Sequence, residues 1–203
     1  MKRIAVLASG RGSNFQAVLD ALARGEIQAK CVGLITDNPK AYAITRAREA
    51  GVEVTVLDYH AYPSKDAYEA DLLAAMQACE ADLFVLAGYM RIVGEAIVEA
   101  FAGRMINIHP ALLPSFPGLH AQRQAVEYGV KVAGCTVHFV DAGTDSGPII
   151  IQRCVPVLED DDEDSLAERI IVEEHRALPE AVALFCEDRI EIDGRCVRIL
   201  PRA

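Results

Sequence analysis

The sequence predicts an α/β fold with a doubly wound, mostly parallel sheet and an antiparallel pair of strands in its C-terminal half. Three features lead to this prediction: short apolar runs of strand length, amphipathic helical patterns between them, and longer, closely spaced strand patterns after residue 130. Wholly apolar strands that alternate with helices are typical of a parallel sheet covered on both faces. Because no linker, repeat or low-complexity stretch interrupts it, we expect residues 1–203 to form one domain.

The N-terminal half supplies the parallel strands and the helices that connect them. Apolar runs predict strands at 2–8, 31–36, 52–57, 83–87 and 105–108. Apolar residues three and four positions apart indicate a first helix, at Phe15, Val18, Leu19 and Leu22. A second helix is expected around 41–50. Ser64 is a candidate cap for a third helix, whose apolar stripe is Tyr68, Leu72 and Met76.

The C-terminal half changes to an antiparallel pattern. Strands are predicted at 132–140 and 149–157, close enough in sequence to pair with each other. A long helix follows from about 164 to 186, with an apolar side formed by Leu166, Ile170, Ile171 and Leu178. The acidic run at 159–164 is expected to lie in a solvated loop and to favour the positive end of this helix. Asp193-Gly194 predicts a hairpin turn between two short end strands.

Composition limits the classes of function. The net charge of −10 argues against broad nucleic-acid binding, which usually shows a basic surface. No apolar run approaches the roughly 20 residues that span a bilayer, so we expect a cytoplasmic protein. The six cysteines include no Cys-x-x-Cys pair, and we expect buried thiols rather than disulfides or a zinc site.

A glycine-containing loop, ASGRGSNFQA at 8–17, connects the first strand to the first helix. Ligands bind at this edge of an open α/β sheet, and the helix N-terminus offers N–H groups and a positive dipole end to a phosphate. We expect Gly12, Ser13 and Asn14 to hold a phosphate, with help from Arg11.

Other interpretations of this loop fit less well. Phe15 stands where a dinucleotide-binding fingerprint requires glycine, which disfavours NAD despite a suggestively placed Asp37. A Walker A loop would need a Gly-Lys-Ser/Thr sequence, which the loop lacks. The remaining alternative is a tight turn in which Ser13 only caps the helix.

A second group of polar residues lies near the ends of later strands. Asn107 and His109 are two positions apart in a strand, so their side chains point to the same face. Asp145 lies in a glycine-bracketed loop after the next strand, and His138 lies within that strand. An amide and an imidazolium can donate to an oxyanion while a carboxylate orients the imidazole, which suits acyl transfer to an amine. Alternatively, Asn107 caps the loop and His109 satisfies a backbone carbonyl.

Four segments, taken together, resemble a known family. They are SGRGSN near the start, AGYMRIV at 87–93, NIHPALLPSFPGLHAQRQA at 107–125 and TVHFVDAGTDSGPII at 136–150. In this order they resemble the phosphoribosylglycinamide formyltransferases, folate-dependent enzymes of purine synthesis, over nearly the whole chain. The third and fourth segments mark the wider formyltransferase superfamily, and the first narrows the resemblance to the glycinamide ribonucleotide branch.

The resemblance implies a formyltransferase fold and a reaction. A formyl group would pass from the co-substrate 10-formyltetrahydrofolate to the amine of glycinamide ribonucleotide, without a metal. Asn107 and His109 would stabilise the tetrahedral intermediate. Asp145 would keep His109 protonated and help to relay a proton through water, with His138 behind them. Within the single domain, the N-terminal part would form a nucleotide-phosphate half and the C-terminal part a folate and catalytic half, at about 1–100 and about 101–203.

The resemblance also assigns binding residues. The ribonucleotide phosphate and sugar would contact Gly12, Ser13, Asn14 and Glu174. For Glu174 the alternative is a solvated charge on the long helix. The folate would contact Lys65, Met90, Arg91, Ile92, Val93, Asn107 and Asp141. The segment 90–93 would act largely through its backbone, and the loop 141–145 would close over the pterin.

Two positions depart from the family pattern. Lys65 stands where some members carry an arginine that contacts the folate, and lysine keeps the charge but loses the bidentate fork. The strength of a contact with the glutamate tail is therefore open. Arg11 replaces an uncharged residue and would add to phosphate attraction. The implied partners are the two small-molecule substrates, without nucleic acid or a membrane, and the chain is expected to be a monomer or a homodimer.

Two further functions are compatible with the same scaffold. A deformylase would use water as the acceptor, and methionyl-tRNA or sugar-nucleotide formyltransferases would use other amines. A deformylase would call for an additional N-terminal domain, and the tRNA enzyme would call for a basic C-terminal domain. We expect neither here. A non-catalytic nucleotide- or folate-binding regulator is the other alternative, against which the complete set of Asn107, His109 and Asp145 argues.

Overall fold

A computed structural model describes residues 1–202, and its elements confirm the predicted α/β class. The strands are β1 (Lys2–Leu7), β2 (Ala29–Thr36), β3 (Val54–Val56), β4 (Leu83–Leu86), β5 (Met105–His109), β6 (Val132–Phe139), β7 (Ile149–Pro156), β8 (Ile190–Asp193) and β9 (Cys196–Ile199). The helices are α1 (Ser13–Ala23), α2 (Ala43–Glu49), α3 (Lys65–Ala78), α4 (Glu95–Ala100), α5 (Ala121–Tyr128) and α6 (Glu163–Cys186), with a 3-10 turn at Tyr59–Ala61.

Seven strands form one sheet in the order β3-β2-β1-β4-β5-β6-β7. The pairings of β1 with β2, β1 with β4 and β2 with β3 are parallel, whereas β6 and β7 pair antiparallel. The strands β8 and β9 form a separate antiparallel pair. Both the mostly parallel sheet and the antiparallel pair of the C-terminal half are therefore confirmed.

Contacts between residues divide the chain into two compact units, Met1–Ile106 and Asn107–Ala203. The core of the first unit contains the apolar strands β1 and β4 together with the stripes of α1 and α3. The predicted stripe of α3 is confirmed, since Tyr68, Leu72 and Met76 are at most 1% exposed. The Ser64 hydroxyl caps this helix by accepting a hydrogen bond from the Ala67 N–H at 3.2 Å. On α1 the stripe is buried except for Leu22, which is partly exposed.

In the second unit, the long helix α6 belongs with the antiparallel strands β6 and β7. Leu166, Ile170 and Leu178 are at most 1% exposed, as predicted, whereas Ile171 is partly exposed. The acidic run lies at the N-terminus of α6. There Asp162 accepts from the Ser165 N–H at 2.8 Å, and the Ser165 hydroxyl accepts from the Asp162 N–H in return.

Some elements were not predicted from the sequence, and one expectation is wrong. The short helices α4 and α5 and the 3-10 turn were missed because six to eight residues, or three, carry too little periodicity. The cysteines are all free thiols, but Cys154 and Cys196 are exposed rather than buried. Cys154 lies on the outward face of β7, the last strand of the sheet order, and Cys196 lies in the exposed β8–β9 hairpin. No helix within residues 1–202 is long and apolar enough to cross a membrane.

Gly134 provides a test of the β6–β7 packing. A Cβ atom at this position would lie 2.0 Å from the Arg153 carbonyl oxygen and 2.9 Å from Cys154 Cα, both of them backbone atoms. We expect Gly134→Ala to lower the free energy of unfolding by about 1–3 kcal/mol or more, measured by urea denaturation. Gly10→Ala is the control, because a Cβ there meets nothing within 4 Å. An equal, small effect of both substitutions would contradict the packing described for Gly134.

Candidate active site

The first loop of the chain is built around Gly12. This residue has a φ of 69°, in the left-handed region, and a Cβ on it would lie 2.8 Å from Ala43 Cβ. Only glycine satisfies both conditions without strain. Gly12 occupies the cap position of α1, so no side chain caps this helix. Ser13 is the first residue of the helix itself. The alternative in which Ser13 merely caps the helix is therefore wrong.

Arg46 contacts this loop from α2, a role that was not predicted from the sequence. Its Nε donates to the Arg11 carbonyl at 2.8 Å and its Nη1 donates to Gln16 Oε1 at 3.0 Å. Asn14 is buried, whereas the Arg11 side chain is exposed. The helix N-terminus and the Arg46 guanidinium thus bring positive charge to the loop at 11–14.

A cavity of about 230 Å³ lies elsewhere in the first unit. Its lining residues are Tyr59, Lys65, Tyr68, Glu69, Leu72, Met90, Arg91 and Ile92. It therefore brings together Lys65, Met90, Arg91 and Ile92, four of the residues predicted to bind folate. Val93 is half-buried and is not among the lining residues. Aromatic and aliphatic walls with a few charged groups are typical of small-molecule sites.

Both cations of this cavity have an acidic neighbour. The Lys65 ammonium lies 3.3 Å from Glu69 Oε1, but it remains 56% exposed. Arg91 Nε donates to Asp37 Oδ2 at 2.7 Å, and the Asp37 side chain is only 2% exposed. The Lys65 end of this pair is exposed and therefore accessible to an anionic ligand, whereas the Glu69 side chain is only 22% exposed and its Oε1 is buried. The buried Arg91–Asp37 pair is far more constrained.

In the second unit, the predicted Asn107, His109, His138 and Asp145 come together around the Asp145 carboxylate. Its Oδ2 accepts a hydrogen bond from the Gly118 N–H at 2.8 Å and lies 3.4 Å from His109 Nδ1. Its Oδ1 lies 3.4 Å from Asn107 Nδ2 and 3.7 Å from His138 Nε2. The grouping expected from the sequence is therefore present in the folded chain.

Both ring nitrogens of His109 face oxygen atoms. Nε2 lies 2.8 Å from the Phe116 carbonyl, which can only accept, so Nε2 carries a hydrogen. Nδ1 faces the Asp145 carboxylate. Without a hydrogen on Nδ1 the lone pairs of the nitrogen and of the carboxylate oxygen would repel each other, whereas with a hydrogen the two groups form an ion pair. The surroundings thus provide an acceptor for a hydrogen on each ring nitrogen. The alternative that His109 only satisfies a backbone carbonyl therefore explains the contact of Nε2 with Phe116, but not the contact of Nδ1 with Asp145.

Hydrogen bonds also fix the tautomer of His138 and the orientation of Asn107. His138 Nδ1 lies 2.8 Å from the Phe139 carbonyl and therefore carries a hydrogen. In the neutral ring Nε2 is then the acceptor, and it receives a hydrogen from Asn107 Nδ2 at 3.2 Å. The opposite amide orientation would set Asn107 Oδ1 against an Asp145 oxygen. An irregularity in the β6–β7 register between Val137 and His138 accompanies this placement.

The loop that carries Asp145 is stabilised internally. Asp141 Oδ1 accepts hydrogen bonds from the Gly143 N–H at 3.1 Å and from the Ser146 hydroxyl at 2.6 Å. Asp145 itself has a φ of 52°, an uncommon conformation for a residue other than glycine. At Gly147, a Cβ would lie 1.8 Å from the Phe139 carbonyl oxygen. These constraints point the Asp145 side chain at its neighbours. Asp141, predicted to bind folate, orders the loop in this structure.

The environment of Asp145 favours its charged form. Partial burial alone would raise the pKa of this carboxyl. The hydrogen bond from the Gly118 N–H and the charge of His109 are among the interactions that outweigh burial and hold the pKa of Asp145 below its ordinary value. Asp145 is therefore an anion at neutral pH and can serve as a partner for a cationic imidazole.

Glu174 is buried rather than solvated. The residue is only 5% exposed on α6, so the alternative of a solvated surface charge is wrong. Burial raises the pKa of the Cys135 thiol on β6 to about 12, and the negative charge of Glu174 adds to this shift. Among residues 1–202, no group of three or more His, Cys, Asp or Glu side chains is arranged to hold a metal ion.

Comparisons with known proteins identify the family of this chain. The formyl transferase family profile matches residues 2–182. The phosphoribosylglycinamide formyltransferase of Mycobacterium tuberculosis is 48% identical over 193 residues, which cover 95% of this chain and 89% of that protein. The trifunctional purine biosynthetic protein adenosine-3 of Drosophila melanogaster is 48% identical over 187 residues, or 91% of this chain. The chain spans only 14% of that longer protein.

A solved structure extends the comparison to the whole fold. The crystal structure of glycinamide ribonucleotide transformylase 1 from Symbiobacterium toebii superposes with a TM-score of 0.96 at 55% sequence identity. The match covers 99% of this chain and 95% of the other. The four segments, the fold and these relatives agree, and the chain belongs to the phosphoribosylglycinamide formyltransferase family of formyl transferases.

Proposed function

We propose that this chain transfers the formyl group of 10-formyltetrahydrofolate to the amine of glycinamide ribonucleotide, a step of purine synthesis. The observation that carries the proposal is the assembly of Asn107 and His109 around the Asp145 carboxylate, within 3.4 Å in each case. The relatives from Mycobacterium tuberculosis and Symbiobacterium toebii are named for this activity. The group provides an oxyanion-stabilising amide, a cationic imidazole and a proton-accepting carboxylate, and it needs no nucleophile from the protein.

In the proposed reaction the substrate amine is the nucleophile. Its nitrogen attacks the formyl carbon, and the carbonyl oxygen becomes an oxyanion in a tetrahedral intermediate. The bond from the formyl carbon to N10 of the folate then breaks. The attacking nitrogen loses one proton, and N10 gains one by way of Asp145 and water. Atoms and charge therefore balance without a metal ion or a covalent enzyme intermediate.

His109 stabilises the oxyanion through its positive charge and an N–H donor. Asp145 is the partner of Nδ1, so Nε2 is the donor available to the substrate. In this structure Nε2 donates to the Phe116 carbonyl at 2.8 Å. We infer that the formyl oxygen replaces this carbonyl as the acceptor. Phe116 has a φ of 55°, an uncommon conformation for a residue other than glycine.

Asn107 supplies the second donor to the oxyanion. Asn107 Nδ2 has two partners, and its contact with Asp145 Oδ1 at 3.4 Å is the longer one. We infer that the hydrogen on this side of the amide is donated to the formyl oxygen instead. The other hydrogen stays on His138 Nε2 at 3.2 Å, which holds the amide in place. His138 thus acts as a positioning residue.

The remaining assignments concern binding. Gly12, Ser13 and Asn14 hold the ribonucleotide phosphate, and the buried Glu174 binds the sugar. The folate contacts Asn107, Asp141 and the segment 90–93, and Lys65 attracts its glutamate tail in competition with Glu69. We also propose a cytoplasmic protein, monomeric or homodimeric, whose partners are these two small molecules.

Turnover that depends on both substrates is the first prediction. The protein is mixed with 10-formyltetrahydrofolate with and without glycinamide ribonucleotide, and loss of the formyl folate is followed by absorbance. We expect deformylation only when both are present, with the formylated ribonucleotide detected by mass spectrometry. Deformylation without the ribonucleotide would instead indicate a hydrolase. No reaction in either mixture would favour a non-catalytic binding protein.

Substitutions in the catalytic group give the second prediction for this function. We expect His109→Ala and Asp145→Asn each to lower kcat by about 10²–10⁴-fold, because each removes a group that stabilises charge in the transition state. Thermal unfolding should remain cooperative, and ribonucleotide binding, measured by calorimetry, should remain within a few-fold.

The matched controls are His60→Ala and Asp160→Asn, which change exposed residues of the same types. These variants should retain wild-type rates within about twofold. Near-normal rates in both site variants would show that neither His109 nor Asp145 has a catalytic role.

A further inference from the structure

Asp37 is a buried carboxylate that the proposed reaction does not use. It follows directly after β2, and its side chain is 2% exposed. Its Oδ2 accepts from Arg91 Nε at 2.7 Å, while its Oδ1 is buried without a hydrogen-bond partner among residues 1–202. A buried carboxylate with one cationic partner is destabilising unless that partner stays in place. The Asp37–Arg91 pair therefore fixes the position of the Arg91 side chain.

Arg91 is held by a second contact at the same time. Its guanidinium lies over the Tyr59 ring, 3.9 Å from the ring centroid. The Tyr59 N–H in turn donates to the Asp37 carbonyl at 3.1 Å. Asp37, Tyr59 and Arg91 thus form a closed set of three contacts, which we call the Asp37 clamp. A planar guanidinium can form an ion pair and stack on a ring simultaneously, which an ammonium cannot do equally well.

The clamp acts on a segment that has little else to hold it. Residues 90–92 form neither helix nor strand, and the Met90 and Ile92 side chains are 61% and 66% exposed. Packing of these two side chains therefore cannot fix the backbone. The Met90 N–H donates to the buried Ser9 hydroxyl at 2.9 Å, and Arg91 is tied to Asp37. Two polar anchors thus determine where this wall of the cavity lies.

Neighbouring aromatic residues add rigidity on the same side. The Tyr68 and Tyr89 hydroxyls share a buried hydrogen bond, and the Tyr59 and Tyr68 rings meet edge to face at 5.0 Å between centroids. Burial raises the pKa of Tyr68 to about 12, and the charge of Asp37 contributes to the shift, so the hydroxyl stays neutral. Asp37 therefore supplies a fixed negative charge next to the neutral tyrosines around Arg91.

We propose that Asp37 is a positioning residue for the formyl donor. Through Arg91 it fixes the backbone at 90–92, against which the donor binds, while it makes no contact with the reacting atoms. This inference rests on the proposed function only in identifying the occupant of the cavity as a folate. A positioning residue of this kind changes the KM for one substrate, whereas a general loss of structure changes stability and both substrates together.

Asp37→Asn is the decisive substitution, because it keeps the shape of the side chain and removes its charge. We expect the KM for 10-formyltetrahydrofolate to rise about tenfold, because the substitution removes one charge-assisted hydrogen bond. We expect kcat and the KM for glycinamide ribonucleotide to stay within about twofold. Asp58→Asn is the matched control, since Asp58 lies beside Tyr59 and its carboxylate accepts only from the His60 N–H among the described contacts.

A readout without substrate separates this inference from the proposed function. Hydrogen exchange followed by mass spectrometry should show faster exchange in the peptide covering 88–93 for Asp37→Asn, and not for Asp58→Asn. This measurement decides whether the clamp exists even if wild-type protein fails to transfer formyl groups, an outcome that would reject the proposed function alone.

A second variant covers the case in which Asp37→Asn does not fold. Arg91→Lys leaves a cation opposite Asp37 but removes the planar stacking group, so we expect a smaller rise in donor KM, roughly three- to fivefold, and the same exchange pattern. Unchanged exchange at 88–93 in a folded variant would overturn the inference. So would equal effects on both KM values, or a donor KM that stays within about twofold.

Discussion

The Asp145 carboxylate is the constraint on which the candidate active site depends. A partly buried anion needs compensation, and the chain supplies it from the Gly118 N–H, His109 and Asn107. Each of these partners is oriented by the same interaction that satisfies the carboxylate. The orientations of the His109 ring and of the Asn107 amide therefore both depend on the Asp145 carboxylate. Hydrogen bonds from His109 to Phe116 and from His138 to Phe139 complete the arrangement.

Positive φ angles occur at three residues that shape the loops of predicted site residues. Gly12 and Asp145 are themselves predicted site residues, and the Phe116 carbonyl lies against His109. Other residues with positive φ, such as Glu80 and Asp188, lie elsewhere in the chain. The surrounding contacts compensate for the cost of these conformations, as the Asp141 hydrogen bonds do for the loop of Asp145. The scaffold of strands and helices is regular by contrast, so the strain is stored in the loops.

The sequence was sufficient for the sheet because its strands are wholly apolar and its long helices are periodic. Helices α4 and α5 were missed, since their short spans contain too few buried residues to show a pattern. Asn107 and His109 were found from their spacing in one strand, and Asp145 from its glycine neighbours. Arg46, Glu69 and the Asp37 clamp were not, because their contacts join residues far apart in sequence or depend on side-chain orientation. The exposed Cys154 was misjudged because composition does not report which face of an edge strand is covered.

Positively charged side chains lie at the predicted binding sites although the chain as a whole is negatively charged. The overall charge of −10 would repel anionic substrates, yet the local arrangement brings Arg46 to the first loop and Lys65 and Arg91 to the cavity. Local contacts within a few ångströms outweigh a diffuse field that salt screens over about 8–10 Å. The two cations of the cavity differ in freedom, since the Lys65 side chain is 56% exposed whereas Asp37 fixes Arg91.

The most direct test of the central claim is a double-mutant cycle on kcat with His109→Ala and Asp145→Asn. If Asp145 acts by charging and orienting His109, the two substitutions remove the same unit of transition-state stabilisation. The double variant should then be slowed little more than the slower of the two single variants. Losses that multiply in the double variant would show that the two residues act independently, and would contradict the organising role of the Asp145 carboxylate.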